Sequence, residues 1–444
     1  MLRERCGGLP LSSLKYYLWN IGCQMNQADA RRLAEALDVR GMTATRSPEE
    51  ARVLLLNTCV VRQSAEDKVL GRMASLQSLA SDPAASRILL VMGCFVDDPV
   101  LMAERYPYVH GFFLPSDLRG VLSHIDAWLG VVPPSADAVS APAQVNESVA
   151  ISYGCDHHCT YCIVTDRRGA QRSRPLQEIV REAADLVARG AREITLLGQN
   201  VDAYGSDLPE GTDLADVLCA VHEIPGLLRL RFLTSHPREM SQRIIDTAAA
   251  LPKVCPSWEL PAQSGDDTVL RRMARGYTSA HYRDLVRRIR EARPDAGINT
   301  DIIVGFCGET EGQFENTVAL VRDLCFDQVH LAAYSVREGT AAAHWLDDVP
   351  PEEKERRRLV IEGLQTEIAT ARNAALLGEV VPVLVESRQR GRWRGRTPTN
   401  KLVFFQDPAN WRGVLADVRI TWTGPWSMIG EVVNKRDEPS DKTA

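Results

Sequence analysis

The sequence predicts an α/β protein with a small all-β module at its C-terminal end. Three observations lead there. Short apolar strands alternate with amphipathic helical stretches over residues 14–130 and again over 148–373, the pattern of parallel sheets covered by helices. A stretch rich in Pro, Ser and Ala, GVVPPSADAVSAPAQ, separates the two runs as a linker would. From residue 374 the pattern changes to short β-branched and aromatic segments split by Gly, Pro and Asn turns, the mark of a small antiparallel β-barrel. A chain of 444 residues exceeds one ordinary core, so two or three domains are expected. Its 45% hydrophobic and 25% charged content is that of a soluble globular protein, and no apolar run approaches the ~20 residues that span a bilayer. The net charge of -6 neither demands nor excludes nucleic acid, so the placement of charge matters more than its sum.

Taken in order, residues 1–13 read as a tail. KYYLWN, RVLLLN, RILLVM and VHGFFL supply the strands of a parallel α/β domain over 14–130, with ADARRLAEAL and DLRGVLSHIDAWL among its helices. Residues 131–147 are the linker. VAISY, EITLLG, LRLRFLT, SWELP, INTDIIVG and QVHLAAYS are six strands of a core over 148–373. Its first helix, LQEIVREAADLVARG, stops at Gly190, a natural terminator. After the charged helix PPEEKERRRLVIEGLQTEIATARNAALLG, the segments VVPVLVES, GRWRGRT, KLVFFQ, VLADVRITWTG and SMIGEVV make the small barrel over 374–437. Residues 438–444 form a second tail.

The stretch YGCDHHCTYC places Cys155, Cys159 and Cys162 within eight positions. A disulfide needs an even partner and an oxidising compartment, whereas MLRERCGGLPLSS lacks the features of a secretory signal; a cytoplasmic protein with reduced thiols is expected. Structural zinc takes four ligands, with His157 or His158 available as the fourth, but Cys219, the next cysteine, is too distant to be half of a zinc knuckle. An iron-sulfur cluster held by three thiolates keeps one iron open for a small molecule. Spacing favours the cluster and leaves zinc and an inert trio open.

Cys-x-x-x-Cys-x-x-Cys, with Tyr161 directly before the last cysteine, resembles the signature of radical S-adenosylmethionine enzymes. The resemblance implies a 4Fe-4S cluster on Cys155, Cys159 and Cys162, with S-adenosylmethionine on its open iron and a 5'-deoxyadenosyl radical as the reactive species. The six strand and helix pairs then resemble the partial (β/α)6 barrel of that fold. The triad follows the first strand, at the strand carboxyl ends where barrel sites lie.

Cys23, Cys59 and Cys94 stand in IGCQMN, LNTCVV and VMGCFV, each just past a strand of the first domain. Parallel strands end on one side, so the three thiols are expected to converge, although buried cysteines at strand ends are also common. These motifs, with SRP at 173–175, LLGQNV at 196–201, TSHP at 234–237, QSG at 263–265 and DIIVGFCGET at 301–310, are similar to those of the methylthiotransferases, over nearly the whole chain. That family implies two 4Fe-4S clusters, one on each triad, and a C-terminal TRAM domain that binds tRNA. GCQMN and LNTCVVRQSAEDKVLG are most similar to the MiaB-type branch, which modifies isopentenylated adenosine beside the anticodon. Other branches take threonylcarbamoyl adenosine or an aspartate of a ribosomal protein. Thr165, Asp166, Glu259, Ala262 and Cys307 depart from the usual wording of the MiaB-type motifs.

The resemblance implies that Cys155, Cys159 and Cys162 hold the electron-donating cluster and that Cys23, Cys59 and Cys94 hold the one presenting sulfur. Tyr161 is expected to pack near the cofactor's adenine, or else to be a core aromatic. Gln199, Asn200, Gln263, Ser264, Asp301 and Glu309 follow or end barrel strands and are candidates to bind cofactor or base. His236 in TSHP reads as a lone structural histidine, and Cys6, Cys219, Cys255, Cys307 and Cys325 as structural cysteines. In RQRGRWRGR, strand alternation sends Arg388, Arg390, Arg392, Arg394 and Arg396 to one face as a stripe for RNA phosphates, or as a solvated edge. The expected partners are tRNA, an electron donor such as a flavodoxin or ferredoxin, and a sulfur source, with no membrane and a monomeric chain. A zinc-stapled RNA-binding protein without catalysis is the rival from another class.

Overall fold

The structure is a computed structural model that describes residues 14–60, 63–83, 86–130, 142–209 and 211–436. Both expected tails, with Cys6, and most of the expected linker lie outside the described residues. The chain divides into two compact units. The first gathers the N-terminal part up to Pro142 together with Gly154–Asp156 and Cys162–Ala170; the second gathers Ala143–Tyr153, His157–Tyr161 and everything from Gln171.

In the first unit, β1 (Lys15–Asn20), α1 (Gln24–Val39), β2 (Thr43–Ala44), β3 (Val53–Thr58), α2 (Gln63–Ala80), β4 (Ile88–Gly93), α3 (Pro99–Arg105), β5 (Gly111–Phe113) and α4 (Leu118–Leu129) follow in order. The strands form one parallel sheet in the order β2-β1-β3-β4-β5. Every residue of β3 and β4 is buried, as the apolar runs VLLLNT and ILLVMG require when helices cover both faces. Strand alternation sends Leu54, Leu56, Leu89 and Val91 into one core cluster, and Val53, Leu55, Ile88 and Leu90 into the other. Gly93 ends β4 at φ +114°; a Cβ there would lie 2.3 Å from the Thr58 carbonyl oxygen, so only glycine lets β4 close on β3 at this point.

The chain passes through β6 (Asn146–Ala150) and β7 (Ser152–Tyr153) of the second unit, contributes the short helix α5 (Val164–Arg168) to the first, and returns with β8 (Arg172–Ser173). The core of the second unit follows as α6 (Leu176–Ala188), β9 (Glu193–Leu197), α7 (Leu214–His222), β10 (Arg229–Phe232), α8 (Gln242–Ala250), β11 (Ser257–Glu259), α9 (Asp267–Arg272), α10 (Ser279–Ala292), β12 (Gly297–Val304), α11 (Glu311–Leu324) and β13 (Gln328–Ala333). Two three-stranded parallel sheets, β6-β9-β10 and β11-β12-β13, are joined by a parallel bridge between Leu230 and Val254. The result is the expected six-stranded partial barrel. Outward residues such as Val149, Leu196, Phe232 and Ile302 pack on Ile179, Leu218, Ile245 and Leu285 of the helices. The intervening Thr195, Arg231, Glu259, Asp301 and His330 face the interior, which is polar.

After α12 (Pro351–Ala374), the strands β14 (Val380–Gln389), β15 (Arg392–Arg396), β16 (Leu402–Phe405), β17 (Leu415–Thr423) and β18 (Met428–Lys435) close a barrel in the order β14-β15-β16-β18-β17. Its core holds Val385, Trp393, Phe405, Trp411 and Val418. The expected small antiparallel barrel is present, with one parallel pair, β16 and β18. Five strands in a ring cannot all alternate in direction, so closure forces at least one parallel pair.

The small barrel is fixed to the amino ends of the core strands. Arg229, the first residue of β10, donates to the carbonyl oxygens of Arg396 (2.6 Å) and Pro382 (3.1 Å), and Arg231 to those of Pro398 (2.8 Å) and Thr397 (2.9 Å). Both arginines are buried, and Glu193 balances their charge at 3.0 Å from Arg231. Among the described residues no helix is long and apolar enough to cross a membrane.

Candidate functional site

Strands β1, β3 and β4 lie side by side and point the same way, so the cysteines that follow them share one sheet edge. A Cβ on Gly22 would lie 2.7 Å from the Cys59 Cβ, and the Cys94 amide donates to the Thr58 carbonyl at 3.1 Å. Cys59 and Cys94 are buried; Cys23 is exposed. Asn26, fully buried on α1, organises the edge. Its Nδ2 donates to the Thr58 (2.7 Å) and Ile21 (3.1 Å) carbonyls, and its Oδ1 accepts from the Cys23 thiol at 3.4 Å. Burial pushes the Cys94 thiol above its ordinary value, and Arg168 works against that shift.

Arg168 sits on α5, six residues after Cys162, and is 8% exposed. Its Nη2 donates to Asn26 Oδ1 at 2.9 Å and its Nη1 to Ser116 Oγ at 3.1 Å; Ser116 in turn donates to Asp29 Oδ2 at 2.7 Å. Ile163, the neighbour of Cys162, packs with Val60 and Cys94. The segment that carries the last cysteine of YGCDHHCTYC therefore lies against the first-domain triad. Nothing in the sequence pointed to Arg168, whose contact with Asn26 spans 142 positions.

In the second unit, Arg275 donates to the Cys159 Sγ at 3.3 Å. Thr160 is tied on both sides, its hydroxyl to the Arg272 carbonyl (2.8 Å) and its amide to the Met273 carbonyl (3.2 Å), so the end of α9 holds the cysteine loop. Tyr161 is half-buried, with Phe306 edge-on at 6.4 Å between ring centres. His236 is not the lone histidine expected. It stacks on His157 at 4.0 Å, and His157 Nε2 lies 3.2 Å from Glu239 Oε1. These three groups are close enough to suggest a metal, but the near-parallel rings do not aim their in-plane lone pairs at a common point, and His236 Nδ1 already accepts the Arg238 amide at 3.3 Å. Burial and then Arg275 push His236 down to about 2, so it stays neutral. Asp202, raised to about 7 by burial, pins the turn by accepting from Ser235 Oγ (3.0 Å) and the His236 amide (2.9 Å).

At the carboxyl ends of β6 and β9, Ser152 Oγ, Gln199 Oε1 and both amide atoms of Asn200 are buried without a hydrogen-bond partner. Gly198 leaves room beside them, since a Cβ there would meet Ser152 Oγ at 2.5 Å. Buried polar atoms left unmatched cost stability, and their cluster at the strand ends fits a polar ligand. Gln263 is strained at φ +67° and bridges β12 through its backbone, while Asp301 faces the barrel interior. Two other candidates also have partners within the protein, although Glu309 Oε1 is buried without one. Ser264 Oγ faces Thr317 Oγ1 at 3.2 Å and accepts the Asp266 amide, and Glu309 accepts from the Gly305 amide (2.6 Å) and from Arg357 (2.9 Å). Both hold loops. Cys255 and Cys307 are buried as expected of structural cysteines, but Cys219 is exposed on α7.

The chain resembles known proteins along most of its length. Residues 15–110 match the Uncharacterized protein family UPF0004, 149–321 the Radical SAM superfamily and 374–433 the TRAM domain. A tRNA-2-methylthio-N(6)-dimethylallyladenosine synthase of Roseiflexus sp. (strain RS-1) is 48% identical, covering 96% of this chain and 90% of its own length. One of the same name from Dehalococcoides mccartyi is 47% identical over 94% of this chain and 98% of its own. The chain belongs to the MiaB-type methylthiotransferase family. The solved structure of the radical S-adenosylmethionine methyltransferase TsrM from Kitasatospora setae shares the fold, with a TM-score of 0.53 at 12% identity over 74% of this chain and 75% of that one. As a radical S-adenosylmethionine enzyme, this methylthiotransferase uses a 4Fe-4S cluster and S-adenosylmethionine.

The polar interior of the barrel holds a partly buried carboxyl pair. Glu259 ends β11 beside Asn299 and faces Asp301; burial and then Asp301 push its carboxyl up to about 8, and His330 Nε2 lies at 3.6 Å. A carboxyl raised from 4.5 binds its proton more tightly when folded, so its contribution to stability is full below about 4.5 and is lost as pH climbs through about 8. The Glu259→Gln variant is therefore expected to lose the decline in melting midpoint that the parent shows between about pH 5 and 8. A decline of equal slope in the variant would contradict this.

The arginine stripe is also corrected. The two-residue turn Arg390–Gly391, both at positive φ, reverses the chain, so Arg388 pairs with Trp393 and lies over its ring at 5.6 Å. Arg392, Arg394 and Arg396 share the outer face, but Arg394 and Arg396 lie 3.9 and 3.3 Å from Glu386. The charge not offset by Glu386 is thus gathered at the hairpin tip, on the exposed Arg388, Arg390 and Arg392.

Proposed function

We propose that this methylthiotransferase inserts a methylthio group at C2 of N6-isopentenyl adenosine next to the anticodon of tRNA; its relatives are named tRNA-2-methylthio-N(6)-dimethylallyladenosine synthases. The observation that carries the proposal is the gathering, in one unit, of Cys23, Cys59 and Cys94 with the segment that starts at Cys162. When bound, a 4Fe-4S cluster on Cys155, Cys159 and Cys162 supplies the electron that cleaves S-adenosylmethionine. A second cluster, on Cys23, Cys59 and Cys94, is proposed to present the sulfur. The target C2 carries an unactivated aromatic hydrogen, which acid-base chemistry cannot replace, so radical chemistry and a separate sulfur site suit it.

The chain's own residues supply the surroundings. Gln199 and Asn200 offer unmatched buried amides to the cofactor, with Tyr161, Gln263 and Asp301 as its further neighbours. Asn26 and Arg168 order the first triad. An anticodon-loop base is reached by splaying it from its stack, at little unpairing cost. The proposal includes a low-potential electron donor, a separate sulfur source, a monomeric enzyme and a cytoplasmic setting. The domain limits 14–130, 148–373 and 374–437 belong to it as well.

Arg388, Arg390 and Arg392 are proposed to meet the tRNA backbone. Replacing all three with Gln is expected to weaken every tRNA alike and to lower the slope of log K against log salt by up to roughly 3, since each lost phosphate contact removes about one unit. Arg394→Gln and Arg396→Gln should change the slope little, because Glu386 already offsets those charges. Equal slopes in all variants would remove the hairpin tip from the interface. The substrate itself is tested by offering two anticodon stem-loops, one isopentenylated and one threonylcarbamoylated, and reading the methylthio product by mass. Turnover of the isopentenylated loop alone is expected; preference for the other would assign the neighbouring branch.

A further inference from the structure

Among the described residues, Arg275 is a buried cation set directly on one of the cysteines of the second triad. It is 6% exposed and reaches Cys159 Sγ with Nη1 at 3.3 Å. The rest of the fork is fixed: Nη2 donates to the Pro261 carbonyl at 3.3 Å and Nε to Tyr277 Oη at 3.1 Å. Tyr277 donates onward to the Pro261 and Ala262 carbonyls, at 3.1 and 2.9 Å. The guanidinium is therefore held in place by the strand-end loop after β11. No carboxylate is among these contacts, and the neighbouring imidazole of His236 is neutral. A cation buried without a carboxylate at hand is costly unless its N–H groups are matched, and the Cys159 sulfur matches one of them.

We propose that Arg275 is a positioning residue for the electron-donating cluster, donating an N–H···S bond to Cys159 and favouring the reduced state with its fixed positive charge. The proposal rests on the assignment of that cluster to Cys155, Cys159 and Cys162. Reduction adds one electron, taken from a low-potential one-electron donor, to a cluster whose potential depends on net charge and on hydrogen bonds to sulfur. A positive charge at hydrogen-bond distance stabilises the added negative charge, and the dry setting of Arg275 screens it little. Such a residue leaves the reaction's atoms untouched and acts on how readily the electron arrives.

The test uses the full chain with Cys23, Cys59 and Cys94 replaced by Ala, so that the second triad is read alone. Midpoint potential is followed by electron paramagnetic resonance during dithionite titration. Arg275→Gln is expected to keep its iron and to show roughly tenfold less reduced cluster at a fixed poise, a shift of about 59 mV for one electron. Arg275→Lys, which keeps the charge, is expected to recover most of that shift. An unchanged potential in Arg275→Gln with full iron overturns the proposal. If Arg275→Gln fails to hold iron, the parent labelled with 15N-arginine decides: pulsed resonance of its reduced cluster should show a nitrogen coupling, and none would overturn the proposal. A parent lacking iron altogether would instead overturn the assignment of the triad.

Discussion

Replacing Cys155, Cys159 or Cys162 with Ala is expected to abolish formation of 5'-deoxyadenosine from S-adenosylmethionine and to remove about four iron per chain. Three thiolates are the fewest that hold a four-iron cluster while leaving one iron open, so the loss of any one removes the open position or the whole cluster. The effect should be specific. Thr160 still ties the loop to the end of α9, so the melting midpoints of Cys155→Ala and Cys162→Ala should stay near that of the parent, whereas Cys159→Ala also removes the Arg275 contact and should fall below them. Continued release of 5'-deoxyadenosine from the triple variant would show that the electron comes from elsewhere.

The second large effect is expected from Cys23, Cys59 and Cys94 replaced together by Ala. Sulfur insertion should vanish and about half of the iron with it, while cleavage of S-adenosylmethionine continues. Alanine fits the buried positions of Cys59 and Cys94, so the sheet edge should survive. Iron content equal to the parent's would mean that the three cysteines are small buried side chains and nothing more.

Spacing and period carry much of this fold. The triad in YGCDHHCTYC, the three cysteines past parallel strands and the six-stranded core were all legible because each depends on residues close in sequence or on a rule common to all parallel sheets. What stayed hidden depends on long-range approach. Arg275 meets Cys159 across 116 positions, and Arg168 meets Asn26 across 142. The same holds for His157, which the sequence offers as a possible fourth zinc ligand and which stacks on His236 across 79 positions of chain. The arginine stripe failed for a local reason. Alternation was carried through Arg390–Gly391, where the positive φ of a two-residue hairpin turn exchanges the faces. Ser264 and Glu309 show a different limit: a polar residue at a strand end bonds its own loop or a ligand, and the sequence does not distinguish the two.

The central claim is that two separate three-cysteine sites each hold a cluster. Anaerobic reconstitution of the unsubstituted chain with iron and sulfide, followed by metal analysis, tests it most directly. The account predicts a brown protein with about eight iron and eight sulfide per chain. About four iron would reduce the first-domain triad to packing, and a colourless protein with stoichiometric zinc would contradict the account outright.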